Sequence, residues 1–152
     1  MRSEVDIRGM FIGEYSHSID NKGRIQIPVK LRQELGQGAV VTRGIDKCLF
    51  LYPRPAWLKL ADKLSKLPIG KASTRAFARM MLAGAMDVEI DNQGRMLVPD
   101  YLRHYAGLKK SVVVAGLYSR LELWDEASWN SYKRGTEKTS TAIAETLGDL
   151  GV

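Results

Sequence analysis

One decapeptide occurs twice in this chain, and that repeat constrains the fold more than any other feature. Ile19-Asp20-Asn21-Lys22-Gly23-Arg24-Ile25-Gln26-Ile27-Pro28 matches Ile90-Asp91-Asn92-Gln93-Gly94-Arg95-Met96-Leu97-Val98-Pro99. The match continues with Leu31-Arg32 against Leu102-Arg103, and Gly36 against Gly107. After a one-residue slip, Gly44 aligns with Gly116, Leu49 with Leu121, Leu51 with Leu123, Tyr52 with Trp124 and Trp57 with Trp129. So many matches at constant spacing define a tandem duplication, which must be recognised before any element is assigned.

Each copy reads as strand, turn, strand, short helix, strand, strand, helix. Asp20 to Gly23 is a turn signal, because Asp and Asn bond their own backbone and Gly accepts a positive φ. Arg24-Ile25-Gln26-Ile27 alternates polar and apolar, as a half-buried strand does. Pro28 suits the first position of a helix. Leu31 and Leu35 share one helical face, and Gly36 stops the helix. Ala39 to Arg43 and Cys48 to Tyr52 are β-rich runs joined by a turn over Gly44 to Lys47, and Ser111 to Ala115 and Leu121 to Trp124 are their counterparts. Trp57, Leu60, Leu64 and Leu67 form the apolar stripe of an amphipathic helix that Pro68 and Gly70 end. Lys71 to Ala85 predicts a second helix bridging the copies.

The expected fold is therefore α+β and mainly β. A first repeat with its helix covers 10–70, a bridging helix 71–86, a second repeat 87–134 and a C-terminal tail 135–152. A half-barrel of four short strands leaves open edges and an uncovered apolar face. Pairing the copies with each other removes both problems, which predicts one intertwined domain.

Asp20-x-x-Gly23-Arg24, followed by Ile27-Pro28 and Leu31-Arg32, resembles the AbrB-type swapped-hairpin DNA-binding half, and its duplication resembles the MraZ family of transcriptional regulators. Met10-Phe11-Ile12-Gly13, Leu51-Tyr52-Pro53 with Trp57, and Leu121-Glu122-Leu123-Trp124-Asp125 with Trp129 extend the likeness over nearly the whole chain. The resemblance implies a pseudo-two-fold, double-split β-barrel with both hairpins on one face. It implies DNA contact by Arg24 and Arg95 first, then by Lys22, Lys30, Arg32 and Arg103. It further implies a homo-oligomeric ring on short direct repeats in promoter DNA, repressing the chain's own division and cell-wall operon, and a cytoplasmic, nucleoid-associated protein. Asp20, Gly23, Asp91 and Gly94 are expected to shape the turns. An antitoxin-like protein-binding module and a ring-forming scaffold are the alternatives.

Elementary chemistry agrees. The net charge of +6 favours a polyanion. Residues 1–70 hold twelve Lys/Arg against seven Asp/Glu, a net of +5, whereas 71–152 hold eleven against ten, a net of +1. Arg offers a planar fork to phosphate or to guanine O6 and N7, and a two-stranded ribbon enters the major groove. Nearby lysines add salt-dependent phosphate affinity. Residues 17–32 carry +3 and residues 88–103 carry −1, which predicts that the first copy dominates DNA affinity.

The remaining features read more plainly. No phosphate-cradling glycine motif, metal-ligand spacing or nucleophile–base pair is visible, so neither an enzyme nor a cofactor is expected. Asp87, Glu89 and Asp91 share the polar face of a strand, and a solvated face is favoured over a metal site. Cys48 reads as a small buried hydrophobe, His17 as a partly buried packing residue and His104 as exposed. Trp57, Trp124 and Trp129 read as core or subunit interface. The tail from Arg134 to Val152 has a weak helical pattern through Thr139, Ile143 and Leu147, which allows docking on a neighbouring subunit or mobility. Residues 1–9 precede the repeat pattern: Met10 is a possible start, and Arg2 and Arg8 are possible additions to the DNA face. Without a leader-like apolar region or a membrane span, and with a single cysteine, the cytoplasm is the expected compartment.

Overall fold

A computed structural model of the chain describes residues 9–152. Arg2 and Arg8 lie outside the described residues. In chain order the elements are β1 (Phe11–Ser18), β2 (Arg24–Gln26), α1 (Val29–Leu35), β3 (Gly38–Arg43), β4 (Leu49–Pro53), α2 (Arg54–Ser65) and α3 (Ala72–Ala78). The second copy supplies β5 (Met86–Glu89), β6 (Arg95–Leu97), α4 (Asp100–Tyr105), β7 (Ser111–Tyr118), β8 (Arg120–Asp125) and α5 (Glu126–Lys138), followed by α6 (Ser140–Thr146).

Six strands form one antiparallel sheet in the order β1-β7-β8-β4-β3-β5, and β2 pairs with β6 in a separate two-stranded ribbon. This order exchanges strands between the copies. β1 of the first copy lies on β7 of the second, from Phe11 opposite Tyr118 to Ser18 opposite Ser111. Reciprocally, β5 of the second lies on β3 of the first, from Gly38 opposite Glu89 to Val41 opposite Met86. The centre of the order, where β8 meets β4 over Leu49–Leu51 and Leu121–Leu123, relates the two halves. The hydrogen-bonded sheet does not close into the expected barrel. It ends at β1 and β5, and the ribbon joins it through the single bridges Ile19–Ile25 and Ile90–Met96.

Strand alternation sorts the central side chains into two cores, one on each face. Val41, Leu49, Leu51, Val112, Val114, Leu121 and Leu123 point to the face capped by the ribbon, α1 and α4, where Ile25, Ile27, Leu31, Leu35, Met96, Val98 and Leu102 meet them. Phe50, Tyr52, Val113 and Trp124 point to the other face, where Leu64 of α2 and Met81 complete a second cluster. The central strands therefore read as nearly unbroken apolar runs, because neither of their faces meets water.

Most sequence expectations for local structure hold, with shifts that have clear causes. Leu31 and Leu35 are both buried, and Gly36 ends α1 at φ +70° with its N–H on the Arg32 carbonyl. Pro28 and Pro99 sit one residue before the first helical positions, in extended conformation (ψ 136° and 145°), where they close the strand before the helix begins. The bridging helix is shorter than expected: α3 passes at Arg79 into a single π-type turn over Arg79–Ala83. That turn sets the Met81 carbonyl 2.6 Å from the hydroxyl of buried Thr42, which donates to it.

Cys48 is fully buried, with its thiol directed at the Ile45 carbonyl (3.2 Å). Trp124 is buried, while Trp57 and Trp129 are half-buried against the second cluster. His17 is half-buried and His104 exposed. Asp87, Glu89 and Asp91 are exposed, Asp87 pairing with Arg54 at 2.8 Å. No helix among the described residues is long and apolar enough to cross a membrane.

Candidate nucleic-acid interface

The ribbon is three residues long on each strand, with Arg24 opposite Leu97, Ile25 opposite Met96 and Gln26 opposite Arg95. Alternation puts Ile25 and Met96 on one face, both fully buried. Arg24, Gln26, Arg95 and Leu97 are left on the other face, pointing away from the core. Arg24 and Arg95 are diagonal neighbours across the pair, roughly 7–8 Å apart at the backbone. The duplication thus delivers one arginine from each copy to a single small surface.

Each arginine is held by the aspartate four residues before it. Asp20 Oδ1 accepts the backbone N–H groups of Lys22 and Arg24, both at 2.9 Å, and Oδ2 accepts Arg24 Nε at 2.7 Å. Asp91 repeats this with the N–H groups of Gln93 and Arg95 at 2.9 Å and Arg95 Nε at 2.9 Å. The Arg24 backbone N–H, with further help from its guanidinium and the Lys22 N–H, holds the Asp20 carboxyl down at about 2. The corresponding bonds from Arg95 and Gln93 lower that of Asp91. Both carboxylates are therefore ionised at neutral pH, and as ions they satisfy the turn and grip the guanidinium together.

This grip uses only one edge of each guanidinium. Nε is engaged, whereas among the described residues neither the Arg24 nor the Arg95 Nη atoms have a protein acceptor. The side chain is ordered before any ligand arrives, which lowers the entropy cost of a later contact.

The two turn glycines bring in a second pair of arginines, each from the opposite copy. Gly23 has φ +85° and Gly94 φ +78°. A Cβ on Gly23 would run into the Arg103 guanidinium, and one on Gly94 into that of Arg32. Arg32 also donates Nε to the Ile27 carbonyl (2.8 Å), and Arg103 pairs with Asp100 (3.1 Å). Backbone bonds from Ile27 to the Gly94 carbonyl (2.8 Å) and from Val98 to the Gly23 carbonyl (3.0 Å) lace the same crossing.

The structure thus groups Lys22, Arg24, Arg95, Arg32 and Arg103 around the ribbon. It sets Lys30 elsewhere, on α1 in a cleft with Met10, Ile12 and Tyr15. It also changes the charge comparison between copies. Grouped in space, the first turn holds Asp20, Lys22, Arg24 and Arg103 with its partner Asp100, a net of +1, and the second holds Asp91, Arg95 and Arg32, also a net of +1. With Lys30 and Glu89 left out and Asp100 counted beside Arg103, the four-charge gap along the chain closes.

Two exposed ribbon positions were missed by sequence reasoning, although the alternation that revealed Arg24 and Arg95 also marks them. Gln26 donates its amide to the Gln93 carbonyl (2.6 Å) across the pair. Leu97 is 52% exposed beside Arg24, an unusual place for a leucine in a structural hairpin. Among the described residues, no group of His, Cys, Asp and Glu is arranged to hold a metal ion.

The family model described as "MraZ protein, putative antitoxin-like" matches this chain twice, over residues 10–80 and 81–150. Three similar proteins each bear the name Transcriptional regulator MraZ. The protein of Halothermothrix orenii is 48% identical over 143 residues, and those of Moorella thermoacetica and Acetivibrio thermocellus are each 46% identical. Each alignment spans 94% of this chain and 100% of the relative. Two tandem matches and near-complete alignment at this identity leave one assignment: the chain belongs to the MraZ family.

Proposed function

We propose that this protein is a sequence-specific, DNA-binding transcriptional regulator that uses the β2–β6 ribbon and its two aspartate-held turns as the contact surface. One observation carries the reading: two arginines, each gripped at Nε and with no acceptor on Nη among the described residues, share the outward face of a two-stranded ribbon. A ribbon of that kind fits the major groove, where an arginine fork matches guanine O6 and N7 or a backbone phosphate. The regulators to which the chain is similar support the same reading through their name.

In this reading Arg24 and Arg95 meet bases or phosphates directly. Lys22, exposed at the turn tip, and Arg32 and Arg103 at the crossing add phosphate affinity, and Lys30 contributes from the flank. Asp20, Gly23, Asp91 and Gly94 keep the turns in shape. Leu97 offers an apolar contact to a thymine methyl. The exchange of β1 and β5, with the ribbon crossing between them, supports the swapped-hairpin, double-split arrangement, in which both copies act as one unit. Homo-oligomers, ring-shaped in this proposal, would engage several short direct repeats together, adding avidity to weak individual contacts. The proposed target is the promoter of the chain's own division and cell-wall operon, bound as a repressor in the nucleoid.

The test is binding of the full chain to DNA from upstream of its own gene and to a scrambled control, across a salt series. Arg24→Ala and Arg95→Ala should each weaken specific binding by about 5- to 150-fold, the effect of a lost bidentate base contact of roughly 1–3 kcal/mol. With the charges regrouped in space, the two losses should be of similar size. Lys22→Ala should weaken both DNAs alike and reduce the salt slope by about one. Equal, weak binding of both DNAs by wild type and by the double arginine variant would refute the proposal.

A further inference from the structure

The two copies differ in the length of the loop that leads from the short helix into the next strand. Between α1 and β3 it is two residues, Gly36 and Gln37, whereas between α4 and β7 it is five, Ala106 to Lys110. Equivalent hydrogen bonds align the ends of these loops: the Ile90 N–H donates to the Gln37 carbonyl and the Ile19 N–H to the Lys110 carbonyl, both at 2.8 Å. The second copy therefore sets Lys110, with Lys109 before it, where the first has Gln37. Because the copies are exchanged, each loop lies beside the turn of the other copy. Ile19 directly precedes Asp20, so the longer loop flanks the first turn.

The longer loop walls a cleft of about 650 Å³, lined among others by Asp100, Arg103, His104, Lys109 and Lys110. Three cations against one carboxylate leave +2, and Arg103 already engages that carboxylate at 3.1 Å. The carbonyls that end α4 do not offset this charge. Those of Leu102, Arg103 and His104 accept the N–H groups of Ala106, Leu108 and Gly107 at 3.0, 3.0 and 3.1 Å. Lys109 and Lys110 are exposed, and among the described residues neither has an acidic partner within ion-pair distance. Arg103 joins the cleft to the ribbon, since its guanidinium also fills the space over Gly23.

The ribbon itself is close to two-fold symmetric. Arg24 and Arg95 are equivalent, and each turn with its arginine from the other copy carries +1. Such a surface offers nearly the same charges to a duplex in either direction along the axis. We infer that the α4–β7 cleft is a further DNA-backbone site, in which Lys109 and Lys110 meet phosphates beyond the first turn and so fix the direction in which the ribbon lies on its DNA. The inference rests on the reading of the ribbon as a DNA contact, and its occupant is the backbone of the same duplex, because the cleft is basic and continuous with the first turn through Arg103. A lysine ammonium on a phosphate adds salt-dependent affinity and reads no bases. The site therefore supplies direction by lying on one side only, while the ribbon supplies sequence preference.

The experiment compares the full chain with a Lys109→Gln, Lys110→Gln double variant, on DNA from upstream of its own gene and on a scrambled duplex, across a salt series. Circular dichroism confirms that the variant is folded. The expected result is a salt slope shallower by about two on both DNAs, with the ratio of specific to scrambled affinity unchanged. Within each protected site, phosphates are then replaced one at a time by neutral methylphosphonates. Wild type should be weakened at positions beyond the ribbon's footprint on one side only, and the double variant should be indifferent to those positions. Gln37→Lys, at an exposed position beside the second turn, should create interference on the opposite side. Specific binding with an unaltered slope, or with wild-type interference equal on both sides, would overturn this inference and leave the ribbon reading in place. Equal, weak binding of both DNAs by wild type would remove the ribbon reading and this site with it.

Discussion

Replacing Gly23 by alanine tests the exchange of the two copies at its tightest point. Gly23 holds φ +85°, and the space a Cβ would take is filled by the Arg103 guanidinium of the other copy. A left-handed conformation costs an L-residue roughly 1–2 kcal/mol. Loss of unfolded-state freedom returns about 0.4–1 kcal/mol. Arg103 has a flexible side chain, so it swings aside rather than forcing the backbone, and its displacement costs at most the ~1 kcal/mol of an exposed ion pair with Asp100. The net expectation is a destabilisation of about 1–2 kcal/mol, or a fall in Tm of roughly 2–8 °C for a chain of this size.

The assay is urea unfolding followed by far-UV circular dichroism, run as two double-mutant cycles. Gly23→Ala should couple to Arg103→Ala by about 0.5 kcal/mol or more, because the truncated partner no longer has to move, and it should not couple to Arg32→Ala. Gly94→Ala should show the converse, coupling to Arg32 and not to Arg103. Coupling of Gly23 to Arg32 would mean that each copy closes on itself, and the exchanged topology would be wrong. Unchanged stability of Gly23→Ala would refute the backbone argument as well.

Two further outcomes follow from the same structure. The Asp20 carboxyl, held at about 2 against an ordinary 3.8, stabilises the folded state above pH ~4 and loses that contribution as pH falls toward 2. Asp20→Asn, which keeps an acceptor for the turn N–H groups, should flatten this acid limb of a stability–pH profile measured by urea unfolding, and an unaltered limb would contradict the assignment. Burial, first among its causes, pushes the Cys48 thiol well above its usual range. A thiol reagent at pH 8 should therefore label the native chain at least tenfold more slowly than the urea-unfolded chain, and similar rates would show the site to be open.

How much of this was legible beforehand differs between levels of structure. The repeat, the turn residues, the short helices after Pro28 and Pro99, and the alternation exposing Arg24 and Arg95 are local patterns, written in residues close together in the chain. Alternation also marks Gln26 and Leu97, which carry no charge to signal a contact with a polyanion. The stripe of Trp57, Leu60, Leu64 and Leu67 located α2, because a 3.6-residue period needs no partner to be visible. The π-type turn at Arg79–Ala83 had no such signal, since it answers to Thr42, a residue far back in the chain.

Sequence alone determined that two equivalent halves exist, what each is made of, and which faces are apolar. Only the tertiary structure decided which strand lies on which, because the halves present the same pattern, which foretells that they interlock but not through which strands. The exchange put Arg103 over Gly23 and Arg32 over Gly94, so that each turn carries an arginine of the other copy, and kept Lys30 apart from both. It also decided that the hydrogen-bonded sheet stays open, because the ribbon strands turn out of the sheet to pair with each other. Local periodicity specifies which side of a strand is buried. Which neighbour buries it is set by the competition among all strands with the same face to cover, and that competition takes place in three dimensions.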